Sequence, residues 1–171
     1  MLERGELDLG IIVAEFVPEA LQATTFLREQ MLVTVAQDHP LAQHTSISYS
    51  DFFAEELVMF KEGYFHRKIV DRLADQAGCS PNISFETNLI PLIKAIVKQG
   101  FGISTLLGMV IEEDPDLVGL PFCEPVWLDL SIAWRRDGYL SRANRAFVDF
   151  LLEQNRDSLY HAAQQNQRIK R

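Results

Sequence analysis

Residues 85–107, FETNLIPLIKAIVKQGFGISTLL, constrain the fold of this chain more than any other stretch. The apolar run at residues 83–85 predicts a buried strand, and residues 89–97 then repeat apolar side chains at helical spacing. Gly100 is a typical helix stop, and the apolar residues 102–107 predict a second strand. A strand, a helix and a strand with such short connections are typical of a parallel sheet.

Thr87 and Asn88 follow the first of these strands and are favourable N-cap residues for the helix. Ligands of parallel α/β sheets bind beyond the C-terminal ends of the strands, where the free N–H groups of helix N-termini attract anions. The two residues therefore mark a candidate site for an anion or another polar ligand. The alternative, which the pattern leaves open, is that they only cap the helix.

Composition and charge exclude several classes of protein. The 171 residues are enough for one domain or two small lobes, and a formal net charge of −8 lacks the basic footprint of a nucleic-acid binder. Two cysteines are too few for a disulfide framework. The sequence has neither a signal peptide nor an apolar run of the roughly 20 residues that a membrane span needs. We expect a cytoplasmic protein that does not contact membranes.

The sequence has no motif that catalysis or metal binding requires. The four histidines are scattered, and no nucleophile elbow, phosphate-binding loop or dinucleotide motif is present. The acidic run at residues 112–116 lacks an accompanying histidine and is expected to be a solvated loop. We therefore expect a protein that is not an enzyme and needs neither cofactor nor metal.

The remaining pattern alternates short strands and helices. Helices are predicted over residues 64–77 and from Ser141 onward, the second with Ala143, Ala146, Phe147, Phe150 and Leu151 on one side. Residues 1–5 resemble the end of a helix, which predicts that upstream residues are lacking. Residues 155–171 are polar and basic and predict a tail. The other predicted strands are residues 7–13, 21–27, 31–35, 56–60 and 126–134.

Four segments, in matching order and spacing, resemble motifs of one family. They are GELDLGI at residues 5–11, the stretch from Leu32 to the HPLA at residues 39–42, VKQGFGIS at residues 97–104, and FVDFL at residues 147–151. Together they resemble the C-terminal effector-binding (substrate-binding) domain of LysR-type transcriptional regulators, over residues 5–154.

That resemblance implies an α/β fold of two Rossmann-like lobes, as in type 2 periplasmic binding proteins, with the ligand between the lobes. Lobe one would comprise residues 1–41 and 123–154, and lobe two residues 42–122. Two crossings between the lobes, near residues 37–41 and 122–126, would act as a hinge. The family's winged helix-turn-helix is absent from this chain, as are the first strand and helix of lobe one. DNA binding would thus require an N-terminal domain that this chain lacks.

The resemblance also implies a site for a small-molecule effector, such as a small organic acid. Lobe two would contribute Lys61, Glu62, Thr87, Asn88 and Ser104, whose donors suit a carboxylate. Lobe one would contribute Ala14 and Glu15, although the Glu15 carboxylate would repel an anion and is expected to stay solvated. Lys61 is equally consistent with an ordinary surface lysine.

A homo-oligomer is also implied, with the helix at residues 64–77 at the dimer interface, where Ile69 and Leu73 are the candidate contacts. Two other functions remain open at this point. The chain could be a stand-alone binding module for small organic acids, or an enzyme built on the same two-lobe fold.

Overall fold

A computed structural model describes residues 1–155 of the chain and divides them into two compact units. Unit 1 consists of Met1–Glu29 and the described residues from Trp127 onward, and unit 2 is Gln30–Val126. The predicted lobe two, residues 42–122, lies entirely within unit 2. The predicted tail from residue 156 onward lies outside the described residues.

Unit 1 contains an antiparallel pair of strands and part of a third strand. The first strand, β1 (Gly10–Val13), pairs with β7 (Val126–Arg135), which in turn neighbours β2 (Leu21–Ala36). The strand predicted at residues 7–13 is shorter than expected, since its pairing with β7 begins only at Gly10. β2 begins in unit 1 and ends in unit 2, so the prediction of two strands, at residues 21–27 and 31–35, is wrong. The polar residues 28–30 lie inside β2, because a partly exposed strand can place polar side chains toward solvent without ending.

The last helix of unit 1, α5 (Arg142–Gln154), begins as predicted, with the Ser141 hydroxyl accepting a hydrogen bond from the Asn144 N–H at 3.1 Å. The predicted apolar side of this helix is mostly exposed, and of its residues only Leu151 is half-buried. Val148 is the buried residue of this helix, whereas Phe147 and Phe150 are 48% and 54% exposed. Ala143 and Ala146 are also exposed. The apolar spacing locates the helix correctly, but Val148 sets the face that packs inward.

Unit 2 contains the parallel crossover that the sequence predicts. The third strand runs parallel to the fourth, and its Leu57 forms a parallel bridge with Ile103, just before the fifth strand. The third strand therefore lies between the two strands of the predicted strand–helix–strand crossover. The fifth and sixth strands pair antiparallel with the end of β2. The elements are α1 (Tyr49–Phe53), β3 (Glu56–Met59), α2 (Phe65–Ala77), β4 (Asn82–Glu86), α3 (Ile90–Lys98), β5 (Ser104–Leu107), α4 (Gly108–Ile111) and β6 (Leu117–Leu120).

The core beside α3 contains a cluster of buried apolar side chains. Ile93 and Val97 of α3 pack into a buried cluster with Val58 of β3 and Leu106 of β5. The predicted broad apolar face of α3 is only partly correct, because Leu89 and Leu92 are exposed. The strand predicted at residues 83–85 exists as β4, but it is largely exposed rather than buried. Among the described residues, β3 is the one strand that pairs with it.

The buried face of α2 corrects the predicted dimer contacts. Ile69 and Leu73 are buried within unit 2, beside Val70 and Ala74, so neither side chain is available to a partner. The helix ends where expected, at Gly78, whose φ of 64° is a left-handed conformation that favours glycine. An interface through α2 would have to use its outward residues. Within residues 1–155, no helix has the length and apolar character that a membrane crossing requires.

The acidic run at residues 112–116 is not simply a solvated loop. The Asp114 carboxylate forms ion pairs with Lys94 Nζ at 2.8 Å and Lys98 Nζ at 2.6 Å, and its side chain is mostly buried. Lys94 also donates to the Val110 carbonyl at 3.0 Å. These contacts fasten α3 to the segment after α4. The run thus has a structural role that its composition does not reveal.

Candidate functional site

The candidate site lies where β3 and β4 end. The two strands are parallel, and Met59 is paired with Glu86 in their register. Both strands therefore end at the same edge of the sheet. The Thr87 N–H extends the ladder by donating to the Met59 carbonyl at 3.0 Å. The loops that carry Lys61 and Asn88 are consequently neighbours, as expected for the C-terminal edge of a parallel sheet.

Asn88 joins the two loops directly. Its Oδ1 accepts a hydrogen bond from the backbone N–H of Lys61 at 3.1 Å. The N-cap of α3 is Leu89, so the prediction that Asn88 caps this helix is wrong. The bond assigns the orientation of the amide: the oxygen points at Lys61, and the Nδ2 group keeps its hydrogens for another acceptor.

Thr87 also acts before the helix rather than at its cap. Its hydroxyl oxygen accepts a hydrogen bond from the Leu89 N–H at 3.2 Å, which forms a tight local turn. Because the oxygen accepts this bond, the hydroxyl hydrogen is free to be donated elsewhere. Thr87 and Asn88 therefore both retain donors at the point where the chain enters α3.

Lys61 and Glu62 lie in the loop after β3, and both are exposed. Within the described residues the Lys61 ammonium has no ion-pair partner, whereas the Glu62 carboxylate lies 3.9 Å from Arg67. Ser104 is placed differently. It is fully buried, and its hydroxyl donates to the Val58 carbonyl at 2.6 Å, so in this structure it holds β5 to β3.

Ala14 and Glu15, the predicted contributions of lobe one, belong to unit 1. They form a short 3-10 turn, Ala14–Phe16, directly after β1, in which Ala14 is half-buried and Glu15 is exposed. Their position at the end of a strand matches the prediction from sequence. Their contact with an effector stays a prediction.

Arg67 is a polar centre that the sequence reasoning missed. Its Nε donates to Asp71 at 2.8 Å, and its guanidinium also pairs with Glu86, at the end of β4. Burial lowers the pKa of Arg67, but hydrogen bonds and charge attraction from Asp71 and Glu86 raise it overall, so the group stays charged. The sequence did contain one indication of this role: Arg67 and Asp71 are four residues apart on a predicted helix, a spacing that favours an ion pair.

A small aromatic cluster lies beside the same loop. His66 is buried, with its ring stacked on Phe60 at a centroid distance of 4.3 Å. Burial lowers the pKa of His66 to about 4, so the imidazole is neutral near pH 7. Among the described residues, His, Cys, Asp and Glu nowhere gather in a group that could hold a metal ion.

Comparison with known protein families identifies the fold. The family model for the LysR substrate binding domain matches residues 1–156. The chain belongs to this family. The resemblance of the four sequence motifs is thereby confirmed, as is the α/β fold class of periplasmic-binding-protein type.

The curated relatives of this LysR domain are transcriptional regulators. It is 31% identical, over 163 residues, to the HTH-type regulator YybE of Bacillus subtilis, itself uncharacterized, and the match covers 88% of this chain and 52% of that protein. It is 23% identical to the malolactic fermentation system transcriptional activator of Lactococcus lactis, over 77% of this chain and 46% of that one. The chain thus spans about half the length of the curated relatives it matches.

Solved structures of two regulatory domains resemble this LysR domain closely. The CcmR regulatory domain of Synechocystis PCC6803, in complex with 2-PG, superposes with a TM-score of 0.81 at 25% identity, over 90% of this chain and 76% of that one. The effector binding domain of QuiR, in complex with shikimate, gives a TM-score of 0.80 at 23% identity, over 91% and 75%. The second likeness supports the fold alone.

Proposed function

We propose that this chain is the effector-sensing part of a LysR-type transcriptional regulator and that it binds a small organic acid. In unit 2, the carboxylate of that acid would be held by Lys61, Thr87 and Asn88. The observation that carries the proposal is the hydrogen bond from the Lys61 N–H to Asn88 Oδ1. It uses the acceptor of the amide and leaves the donor for the ligand.

Each of those three side chains still offers at least one hydrogen-bond donor at this edge. The donors are the Asn88 amide nitrogen, the Thr87 hydroxyl and the Lys61 ammonium. Donors around a parallel strand end, with one positive charge, favour a ligand rich in acceptors and negatively charged. Glu62 opposes this only weakly, because its carboxylate points toward Arg67.

The comparisons support the same class of function. The relatives are transcriptional regulators, and one regulatory domain of this fold was solved in complex with 2-PG. For the whole protein we propose a cytoplasmic homo-oligomer that contacts DNA through a winged helix-turn-helix outside this chain. We propose that the effector is bound and released without chemical turnover, which a product assay on any acid that binds would test.

The test is a thermal-shift screen of small carboxylic acids, including shikimate, against the chain and two variants of Asn88. A ligand at 100 times its Kd stabilises the folded form by about 2.7 kcal/mol, or roughly 5 to 10 °C for a chain of this size. We expect at least one acid to produce such a shift, and its neutral amide to produce none.

The two variants separate the roles of the Asn88 amide. N88D keeps an acceptor for the Lys61 N–H but replaces the donor with a negative charge, so we expect the unliganded melting temperature to hold while acid binding is lost. N88L removes both, so we expect lower stability as well as lost binding. Acid binding that survives in N88D would overturn the proposed carboxylate site.

A further inference from the structure

We infer that Arg67 is a positioning residue of the proposed effector site. Its guanidinium holds the loop that contains Lys61 and the loop that contains Thr87 in place relative to each other. The part of this inference that concerns effector binding rests on the proposed function. The structural part, that Arg67 fixes the arrangement of the loops at Lys61 and Thr87, stands on the contacts of the guanidinium alone.

One guanidinium reaches the exits of both strands. Its Nη1 contacts the Phe60 carbonyl at 3.5 Å and pairs with the Glu86 carboxylate, while its Nη2 lies 3.9 Å from Glu62. Phe60 directly precedes Lys61, and Glu86 directly precedes Thr87. Arg67 therefore contacts the residue before each of two proposed ligand contacts.

The orientation of the guanidinium is itself fixed by its own helix. Its Nε donates to Asp71 at 2.8 Å, one turn further along α2, and the Arg67 side chain is only 12% exposed. The carboxylates of Asp71 and Glu86 are about half exposed, so the covered partner in these pairs is the guanidinium. The planar fork of arginine can make these contacts at once, which the ammonium of a lysine cannot.

Besides the ladder bond from the Thr87 N–H to the Met59 carbonyl, two side-chain connections among the described residues join the loops. The bond from the Lys61 N–H to Asn88 is one, and the contacts of Arg67 with Phe60 and Glu86 are the other. Removing Arg67 leaves the first connection without support, so the donors of Asn88 and Lys61 are no longer held ready for a ligand. A site that must order its own loops on binding loses affinity.

The first measurement needs no ligand. Native-state amide hydrogen exchange reports the Lys61 and Thr87 N–H groups, and the Ile103 N–H, which donates to Glu56 at 2.8 Å within the sheet, serves as an internal reference. In R67M we expect exchange at Lys61 and Thr87 to rise by about tenfold or more while Ile103 is unchanged, as for local opening. R67K should resemble R67M, because it restores charge without the fork.

The matched control is R72M, which removes an exposed arginine from the same helix and should leave exchange at Lys61 and Thr87 as in the wild type. Unchanged exchange at these two amides in R67M would overturn the inference. An equal rise at Ile103 would also overturn it, because the residue would then stabilise unit 2 as a whole.

The second measurement is a double-variant cycle on the affinity for whichever acid stabilises the wild type most. R67M alone should weaken binding by about tenfold, and much less in a chain that already carries N88A, because Arg67 acts through the position of Asn88. Additive effects would overturn the binding part. If no acid binds the wild type, the proposed function fails, while hydrogen exchange still decides the role of Arg67.

Discussion

The helices α3 of unit 2 and α5 of unit 1 both carry apolar residues at helical spacing, but they differ in how many of those residues are buried. In α3, Ile93 and Val97 are fully buried against the parallel strands. In α5 only Val148 is buried, and the rings of Phe147 and Phe150 face outward. An apolar repeat therefore predicts a helix reliably, but it does not determine how many of its apolar residues the chain itself covers.

Because more of its apolar residues are buried, α3 of unit 2 should contribute more to stability than α5 of unit 1. A buried aliphatic side chain contributes both its transfer from water and its packing, whereas an exposed ring contributes little of either. The proposed effector site also lies on unit 2, at the edge of the same sheet that α3 covers. Substitutions in the two helices should therefore have very different effects on unfolding.

The largest expected effect is that of I93A. It removes a fully buried side chain from the α3 cluster and should lower the free energy of unfolding by about 2 to 5 kcal/mol. The matched change in unit 1, F147A, removes a larger but half-exposed ring and should cost less than about 1 kcal/mol. Urea unfolding of both variants measures the contrast, and comparable losses would show that the ring of Phe147 is covered in solution.

A second contrast uses two glycines of unit 2. Gly102 has φ of 126°, and a Cβ there would lie 2.6 Å from the Glu56 carbonyl oxygen, so G102A forces β3 and the start of β5 apart. Gly63 has φ of 89° with open space around it. We expect G102A to cost more than about 2 kcal/mol and G63A about 1 kcal/mol, the cost of the backbone conformation alone. Equal losses would mean that the Gly102 contact relaxes.

Sequence reasoning predicted the position of Thr87 and Asn88 in the fold better than it predicted their hydrogen bonds. Thr87 and Asn88 do lie at the end of a parallel strand, because a strand–helix–strand pattern fixes that position. The bond of Asn88 is to the backbone of Lys61, 27 residues away in the chain, and a local capping rule cannot anticipate a partner so distant. Arg67 was missed for the same reason, since Phe60 directly follows β3 and Glu86 ends β4, both distant from Arg67 in the sequence.

The fold was predicted best where each element covers its neighbour. The parallel crossover follows from apolar spacing, because the strands and α3 in unit 2 bury their apolar faces against each other. The exposure of β4 and the inward face of α5 depend on what lies beside them in space. A sequence pattern alone carries no information on which edge of a sheet is left unpaired.

The ion pairs of Asp114 give a smaller effect with a distinct pH dependence. Hydrogen bonds from Lys94, and then from Lys98, lower the pKa of Asp114 from its ordinary value of 3.8 to about 2. This carboxylate therefore contributes stability above about pH 4, which is lost as the pH falls toward 2.

Replacing Asp114 tests this directly. D114N should lower the free energy of unfolding at pH 7 by about 1 to 2 kcal/mol, between the values for surface and buried pairs. The difference between variant and wild type should shrink as the pH falls from 4 to 2, because both side chains are then uncharged. A difference that is independent of pH would mean that packing of Asp114, rather than its charge, stabilises the segment.

The smallest expected effect on stability comes from the exposed rings of α5, and it returns to the contrast between the two helices. Replacing both Phe147 and Phe150 with serine should change the free energy of unfolding by no more than about 1 kcal/mol, since each ring is about half exposed. Exposed aromatic patches instead promote association, so the variant should bind less of a hydrophobic dye and sediment more slowly at high concentration. L92S, an exposed apolar position on α3, is the matched control. A double variant that unfolds several kcal/mol more easily would place both rings in a packed interface, and the contrast between α3 and α5 would then disappear.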